Sequence, residues 1–258
     1  MGPSLRPRTY QDVKATLRWY SPFPAVIIAL FLYFYLVPDP HHAWIASLSR
    51  TWVPSAISAA LAVPLIVALS GFIGWLLIFV FEIHDKVYDR HIIRWRHYYD
   101  LDFILPALTR PFGANLDPRL FEAAEKDLPR FMKPFYHFVG DDDHEHSIGE
   151  NTRVRFYETV VKYWITQINE IVLLAAFLFT VAYVFVYRSM GLPLDPVVFT
   201  FLVIITLFVG NRILAEIFKA SVRRATLEEV EEIHSRFLPQ LENQLKLLHE
   251  RVSLQWRN

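Results

Sequence analysis

The chain has 258 residues, 53% of them hydrophobic and 16% aromatic, with 26 basic and 26 acidic side chains and a formal net charge of zero. That balance gives no electrostatic case for nucleic acid as a partner, and the lack of any cysteine excludes disulfides, thiolate nucleophiles and cysteine-based metal centres. Only 20% of residues are charged, below the roughly 25% of soluble domains, and the apolar excess is gathered in blocks, as in chains that cross membranes.

The N-terminus is polar, and no small-residue cleavage site follows a short apolar core, so a cleaved signal peptide is not expected. Arg6 stands where a myristoylation signal needs Ser or Thr. Four apolar segments follow, at residues 19–37, 57–83, 165–187 and 196–217. About 20 apolar residues rising 1.5 Å each cross a hydrocarbon core of about 30 Å, so each is expected to span a membrane. Trp19 and Tyr20 read as interface aromatics of the first span. Pro22 and Pro24 fit its first helical turn, where a missing N–H costs little.

Orientation follows from the positive-inside rule. The linkers after spans one and three hold one basic residue each, Arg50 and Arg188, while the other 24 of 26 lie in the N-terminus, between Lys86 and Lys162, or from Arg212 onward. Both termini and the long middle segment are therefore expected in the cytoplasm. The two outward linkers carry turn residues, Pro38, Asp39 and Pro40 in one and Gly191 and Pro193 in the other.

Span two reads as one long helix running into the cytoplasm until Pro106, with Val87, Ile92, Trp95, Tyr99 and Phe103 at near-helical spacing. A Pro-rich stretch (Pro106, Pro111, Pro118, Pro129, Pro134) then folds back, with Asp117 as N-cap and Pro118 at the first position of a short helix. After a polar loop at residues 140–151, one helix is expected to run straight into span three, and span four likewise to run on into the cytoplasm. Thr226 with Glu229 three residues later has the form of a capping box, which predicts a helix break near residues 224–226 and a new helix from Leu227. Leu227, Val230, Phe237, Leu241, Leu245, Leu248 and Val252 then form an amphipathic stripe able to pack on neighbouring helices or to form an oligomer seam, interrupted by a kink at Pro239.

The expected fold is therefore all-α: a polytopic membrane protein with four transmembrane helices, both ends inside, and helices extended into a cytoplasmic helical domain. Its parts are an N-terminal segment (1–18), a first transmembrane hairpin (19–83), a cytoplasmic helical domain (84–164), a second hairpin (165–217) and amphipathic C-terminal helices (218–258). The membrane is expected to be a bacterial inner membrane or plasma membrane.

Ionisable groups at membrane depth are costly and tend to be paired or to face water. Gln167, Asn169 and Glu170 open span three; Asn211, Arg212 and Glu216 close span four. Antiparallel spans put Glu170 and Arg212 at similar depth, either as a structural ion pair or as part of a pore mouth or gate. Ser70, Gly71 and Gly74 in span two are small residues suited to close helix packing, within the subunit or between copies. Asp141, Asp142, Asp143, His144, Glu145 and His146 carry metal-ligand chemistry but lack the glycine and spacing of an EF-hand; a solvated acidic turn accounts for them, and no cofactor or metal is expected. His84 and His91 share a helix face, and His97 follows. Together with His41 and His42 they form no histidine box of a di-iron oxygenase. Arginines interleaved with aromatics at residues 94–99 and 153–157 suit headgroup contact or an anionic small-molecule ligand. Phosphate-loop, dinucleotide-binding, nucleophile-elbow and HExxH zinc motifs are absent, as is a potassium-filter sequence.

The run Arg110, Pro111, Phe112, Gly113, Ala114, Asn115, Leu116, Asp117 resembles the Pro-Phe-Gly signature of bestrophin chloride channels. Here it follows the second span rather than the last, so no residue role is carried over from that resemblance. The plan of four spans with both ends inside is similar to bestrophins and to small four-helix membrane effectors of bacterial immunity, an analogy of architecture. The expected function is an oligomeric ion channel or pore gated by the cytoplasmic helices, because a single four-helix bundle packs its own interior shut. Two other readings stand beside it. One is a membrane-anchored assembly or regulatory subunit, or immunity-type effector, docking a cytoplasmic protein or ligand through the stripe. The other is a lipid-modifying enzyme using a metal in the 141–146 loop.

Overall fold

The computed structural model describes residues 7–38, 41, 55–79, 82, 84–115, 124, 126–140 and 147–255, and every regular element among them is helical. In chain order these are α1 (Tyr10–Tyr20), α2 (Pro22–Tyr35), α3 (Ser55–Phe79), a π-helical stretch (His84–Ile93), α4 (Trp95–Tyr99), a second π-helical stretch (Asp100–Ile104), α5 (Leu105–Thr109), a 3₁₀ segment (Arg110–Asn115), α6 (Leu128–Val139), α7 (Glu150–Ser189) and α8 (Asp195–Gln255). Three helical runs are long and apolar enough to cross a membrane: Tyr10–Tyr35, Glu150–Ser189 and Asp195–Leu248. Helix α3 adds 25 residues without a charge.

The chain divides into two compact units. The first holds Lys14–Lys86 and Val161–Ile217. Its core joins Leu32 and Leu36 of α2 to Leu173, Ala176 and Tyr187 of α7 and to Val197 and Ile204 of α8. Tyr187 donates its hydroxyl to the Leu36 carbonyl at 2.9 Å, satisfying a carbonyl at the α2 C-terminus that has no partner within the helix. Helices α7 and α8 are joined by a Schellman turn. Gly191 adopts φ +65°, its N–H reaches the Arg188 carbonyl at 3.2 Å, and the Leu192 N–H reaches the Tyr187 carbonyl at 2.9 Å. Glycine takes this left-handed position without the penalty a Cβ would bring. Leu192 then packs on the same core as Tyr187, the hydrophobic contact that accompanies the motif.

Helices α2 and α3 meet through the small residues of α3. A Cβ on Gly74 would lie 3.0 Å from the Ala25 Cβ and 3.0 Å from the Ser21 carbonyl oxygen, whereas a Cβ on Gly71 would find its nearest neighbour, Val26, at 3.5 Å. Ser70 returns its hydroxyl to the Ile66 carbonyl of its own helix.

The second unit comprises Val87–Val160 and Phe218–Asn258, with the segment ending at Val13. Leu128, Phe131, Met132, Phe135, Phe138 and Val139 bury one face of α6, and Phe138 stacks on Phe237 of α8 at 5.3 Å between centroids. The His234 ring meets the Leu108 carbonyl at 2.9 Å. Helix α1 opens on a reciprocal cap: Thr9 Oγ1 accepts the Asp12 N–H at 3.2 Å, while the Asp12 carboxylate accepts the Thr9 N–H at 3.1 Å, satisfying donors left open at a helix start.

The structure corrects three expectations. The helix beyond span two is not continuous, because Glu82 (φ 44°) and Arg94 (φ 54°) take left-handed backbone conformations that end one hydrogen-bond ladder and start another. The Glu82 carboxylate is held by Lys14 and Lys86, each at 3.2 Å. No helix begins at residue 227. Helix α8 passes unbroken through residues 224–226, and its one non-helical residue is Phe237 (φ −128°, ψ 17°), two residues ahead of Pro239, which has no N–H to continue the ladder. The stripe is shifted accordingly: Val222, Ala225, Val230, Ile233, Phe237, Leu241, Leu245 and Leu248 are buried, while Leu227 is 40% exposed. Most of the helix expected from Asp117, and the Val252 side chain, lie outside the described residues.

A Cβ at residue 74 must push backbone, and one at residue 71 need not. Gly74→Ala should therefore destabilise the α2–α3 pair, by about 1–3 kcal/mol as for other overpacked contacts, while Gly71→Ala stays near neutral. Thermal unfolding of the two variants in detergent, side by side, reads the difference; equal melting temperatures would show that the close approach carries no weight.

Candidate functional site

Among the described residues, polar side chains gather in two places. The first lies in the apolar unit, where three helices contribute to one hydrogen-bonded chain. Tyr20 donates its hydroxyl to Asn169 Oδ1 at 3.0 Å, Asn169 Nδ2 donates to Asn211 Oδ1 at 3.3 Å, and Asn211 Nδ2 donates to the Thr166 carbonyl at 2.8 Å. Thr166 in turn donates to the Tyr163 carbonyl at 2.6 Å. Beside it runs a charged ladder. Arg212 Nη1 reaches both Glu170 oxygens, at 3.2 and 3.4 Å, and Arg212 Nη2 lies 3.5 Å from Glu216. The Glu170 side chain is 1% exposed, that of Arg212 39% and that of Glu216 60%, so the ladder runs from the helix contact to the surface of the unit.

Of the residues singled out from sequence, Glu170, Arg212 and Glu216 form the ladder and Asn169 and Asn211 form the chain. Gln167 joins neither: buried, it donates to the Tyr163 hydroxyl, and its Oε1 makes no hydrogen bond. Gly71 and Gly74 serve the α2–α3 contact. Tyr20, Tyr163 and Thr166 are the partners that sequence reasoning missed; the helical spacing of Tyr163 and Thr166 ahead of Gln167 and Asn169 is a signal that could have found those two, while Tyr20 lies on another helix.

The second gathering lies in the other unit, where α8 meets the start of α7. Glu232 accepts the Gly149 N–H at 2.7 Å, the Thr152 hydroxyl at 2.6 Å and Arg236 Nη1 at 2.8 Å. It thus caps α7, supplying from another helix the acceptor that an N-cap side chain supplies locally. Burial would raise its pKa, but these hydrogen bonds and the Arg236 charge outweigh it and hold the carboxyl below the ordinary range. One turn earlier, Glu229 is fully buried, and neither carboxylate oxygen makes a hydrogen bond. Burial, and then the charge of Glu232, push its carboxyl well above the ordinary range, against the pull of Arg153 on α7. Tyr99 donates to Thr226 at 2.6 Å, and burial is the main cause raising its phenol. Thr226 and Glu229 are therefore not a capping box: both lie mid-helix, completely buried. Neither Glu229 nor Glu232 was read from sequence as a site residue, although Glu229 falls in step with the apolar stripe through Val222, Ala225 and Ile233.

Among the described residues no group of three or more His, Asp or Glu side chains is placed to hold a metal. The 141–146 loop and the side chains of His84, His91 and His97 lie outside the described residues.

The ladder makes an asymmetric prediction. Arg212→Gln strips the counter-charge from a buried carboxylate and should cost roughly 1–3 kcal/mol or more, whereas Glu170→Gln leaves behind a cation that can reach water and should cost less. Unfolding midpoints in detergent decide the order, and a larger loss for Glu170→Gln would overturn this account. For Glu232 the sign runs the other way from a raised acid. Its stabilisation is present above the ordinary carboxylate pKa and is lost as pH falls through the lowered folded value, so Glu232→Gln should mainly remove stability near neutral pH.

No curated protein sequence and no solved structure is significantly similar to this chain. Residues 43–241, which include α3 and α7, the capping cluster at Glu232 and the polar ladder, match the YmfE protein family. The chain belongs to the YmfE protein family.

Proposed function

We propose that this protein is the subunit of an oligomeric membrane channel with four spans and both termini in the cytoplasm, gated by its cytoplasmic helices. The observation that carries the reading is the charged ladder. Arg212 lies about 25 Å along α8 from Asp195, at 1.5 Å per residue, near the inner edge of a hydrocarbon core of about 30 Å. There the helix exposes Glu216 on a surface otherwise lined by Ile205, Val209, Ile213 and Ile217. A carboxylate in such a setting is least costly where it faces water, and copies arranged around an axis would turn it into an acidic ring at the inner mouth, the arrangement that favours cations. The continuity of α7 and α8 supports gating, since each helix contributes residues to both units. The asymmetry of basic residues and the charge-free α3 support four spans with both ends inside.

The alternative of a docking subunit has less support. The stripe that would capture a partner is buried within the chain itself from Val230 to Leu248.

Mass analysis and imaging of the detergent-purified protein should show a closed ring of several copies, and reconstituted protein should conduct. Glu216→Lys should shift the reversal potential in a salt gradient from cation toward anion preference. A monomer, or a conductance whose selectivity ignores residue 216, would remove the channel reading.

A further inference from the structure

We propose that Glu229 is a proton-operated latch in the second unit: neutral, it allows α7 and α8 to stay packed at the α7 N-terminus, and ionised, it drives them apart. The proposal concerns this unit alone and stands whether or not the protein conducts ions.

The geometry is that of a carboxyl with nowhere to place a charge. Glu229 is fully buried, its two oxygens accept no hydrogen bond, and its helix neighbours Val222, Ala225, Val230 and Ile233 are buried and apolar. An ionised carboxylate in such a place costs far more than a neutral acid. The charged groups that act on it are one of each sign, Glu232 and Arg153, and neither makes a hydrogen bond to its carboxyl. Its own helix supplies Glu232, ionised in its cap. The segment before α5 supplies Tyr99, bonded to Thr226; the buried Asp100, which accepts the Tyr136 hydroxyl at 3.0 Å, and Arg223 of α8 act in turn on Tyr99. Helix α7 supplies one buried cation, Arg153, and its Nη1 donates to the Gly140 carbonyl at 3.4 Å.

Position makes this a latch. Glu229 sits one turn from Glu232, whose three bonds tie the α7 N-terminus to α8. Loss of the proton requires the carboxylate to reach water, and the contact that would have to open for it is the one that Glu232 clamps a turn away. A group whose folded-state pKa is raised holds a proton that the unfolded chain releases. Its stabilisation is complete below the ordinary carboxylate pKa and declines as pH rises through the folded value. Glu232 behaves oppositely, so the clamp weakens in acid through Glu232 and in base through Glu229.

The natural chain has no cysteine, which makes a paired label specific. Asn151→Cys on α7 and Ser235→Cys on α8, both exposed, carry spin labels in the 258-residue chain in detergent. Pulsed electron resonance then reads their separation from about pH 5 to about pH 9, the interval above the ordinary carboxylate pKa. The expected result is one narrow distance at the lower end that lengthens and broadens as pH rises. In Glu229→Gln, and in Glu229→Leu as a second neutral replacement without added donors, the narrow distance should persist to the upper end. A wild-type distance that does not change with pH would overturn the proposal, as would neutral variants that titrate like the wild type.

Discussion

One helical register, held from Asp195 to Phe237, fixes which side chains of α8 meet α7 within each of the two units. Along α8 the buried positions step through Val197, Thr200, Ile204, Asn211, Ala215, Val222, Thr226, Glu229 and Ile233, in threes, fours and sevens. A slip of one residue would rotate each of them by about 100°, turning Asn211 away from Thr166 and Asn169, and Glu229 and Glu232 away from the start of α7. No glycine or proline interrupts the run between Gly210 and Pro239, and its charged residues Lys219, Arg223, Arg224, Glu228 and Glu231 are good helix formers. The register is thus supported by local preference as well as by burial.

Within the apolar unit the same economy governs polar groups. A polar atom in an apolar surrounding is costly unless it finds a partner in the protein, and most in this unit do. Thr180, Thr200 and Thr206 turn their hydroxyls back onto carbonyls one turn earlier in their own helices, a solution that asks nothing of a neighbour. Asn169 and Asn211 cannot be satisfied that way, having amide donors and an acceptor to place, and they instead bridge helices. The hydroxyls could move with single helices; the amides set how α1, α7 and α8 sit around the chain of bonds that joins them.

Those features that depend on composition alone were legible in the sequence. Apolar length marks the long helices, Pro22 marks the start of α2, and the absence of glycine and proline from residue 150 to residue 189 gives no reason to break α7. What the sequence did not reveal depends on context several residues away. Thr9 with Asp12 and Thr226 with Glu229 have the same form, yet only the first pair caps a helix. Pro7 precedes the first pair closely and no helix runs into it; a helix arrives at the second through Lys219, Ala220, Ser221 and Val222, so its backbone donors are already taken. The left-handed residues Glu82 and Arg94 carry no glycine or asparagine to announce them. The pairing of Glu170 with Arg212 could be anticipated from antiparallel depth, whereas the burial of Glu229 could not, because a lone acid inside a charged stretch reads as solvated until the opposite face of the helix is known to be outside.

The turn at Gly191 has a mechanical meaning. Both of its hydrogen bonds and its Leu192 contact are engaged within three residues of the end of α7, leaving little slack between α7 and α8. Two rods joined by so short a link cannot slide lengthwise past one another. They can splay like tweezers about the joint or roll about their own axes, and a displacement that is small near the turn grows in proportion to distance along the arms.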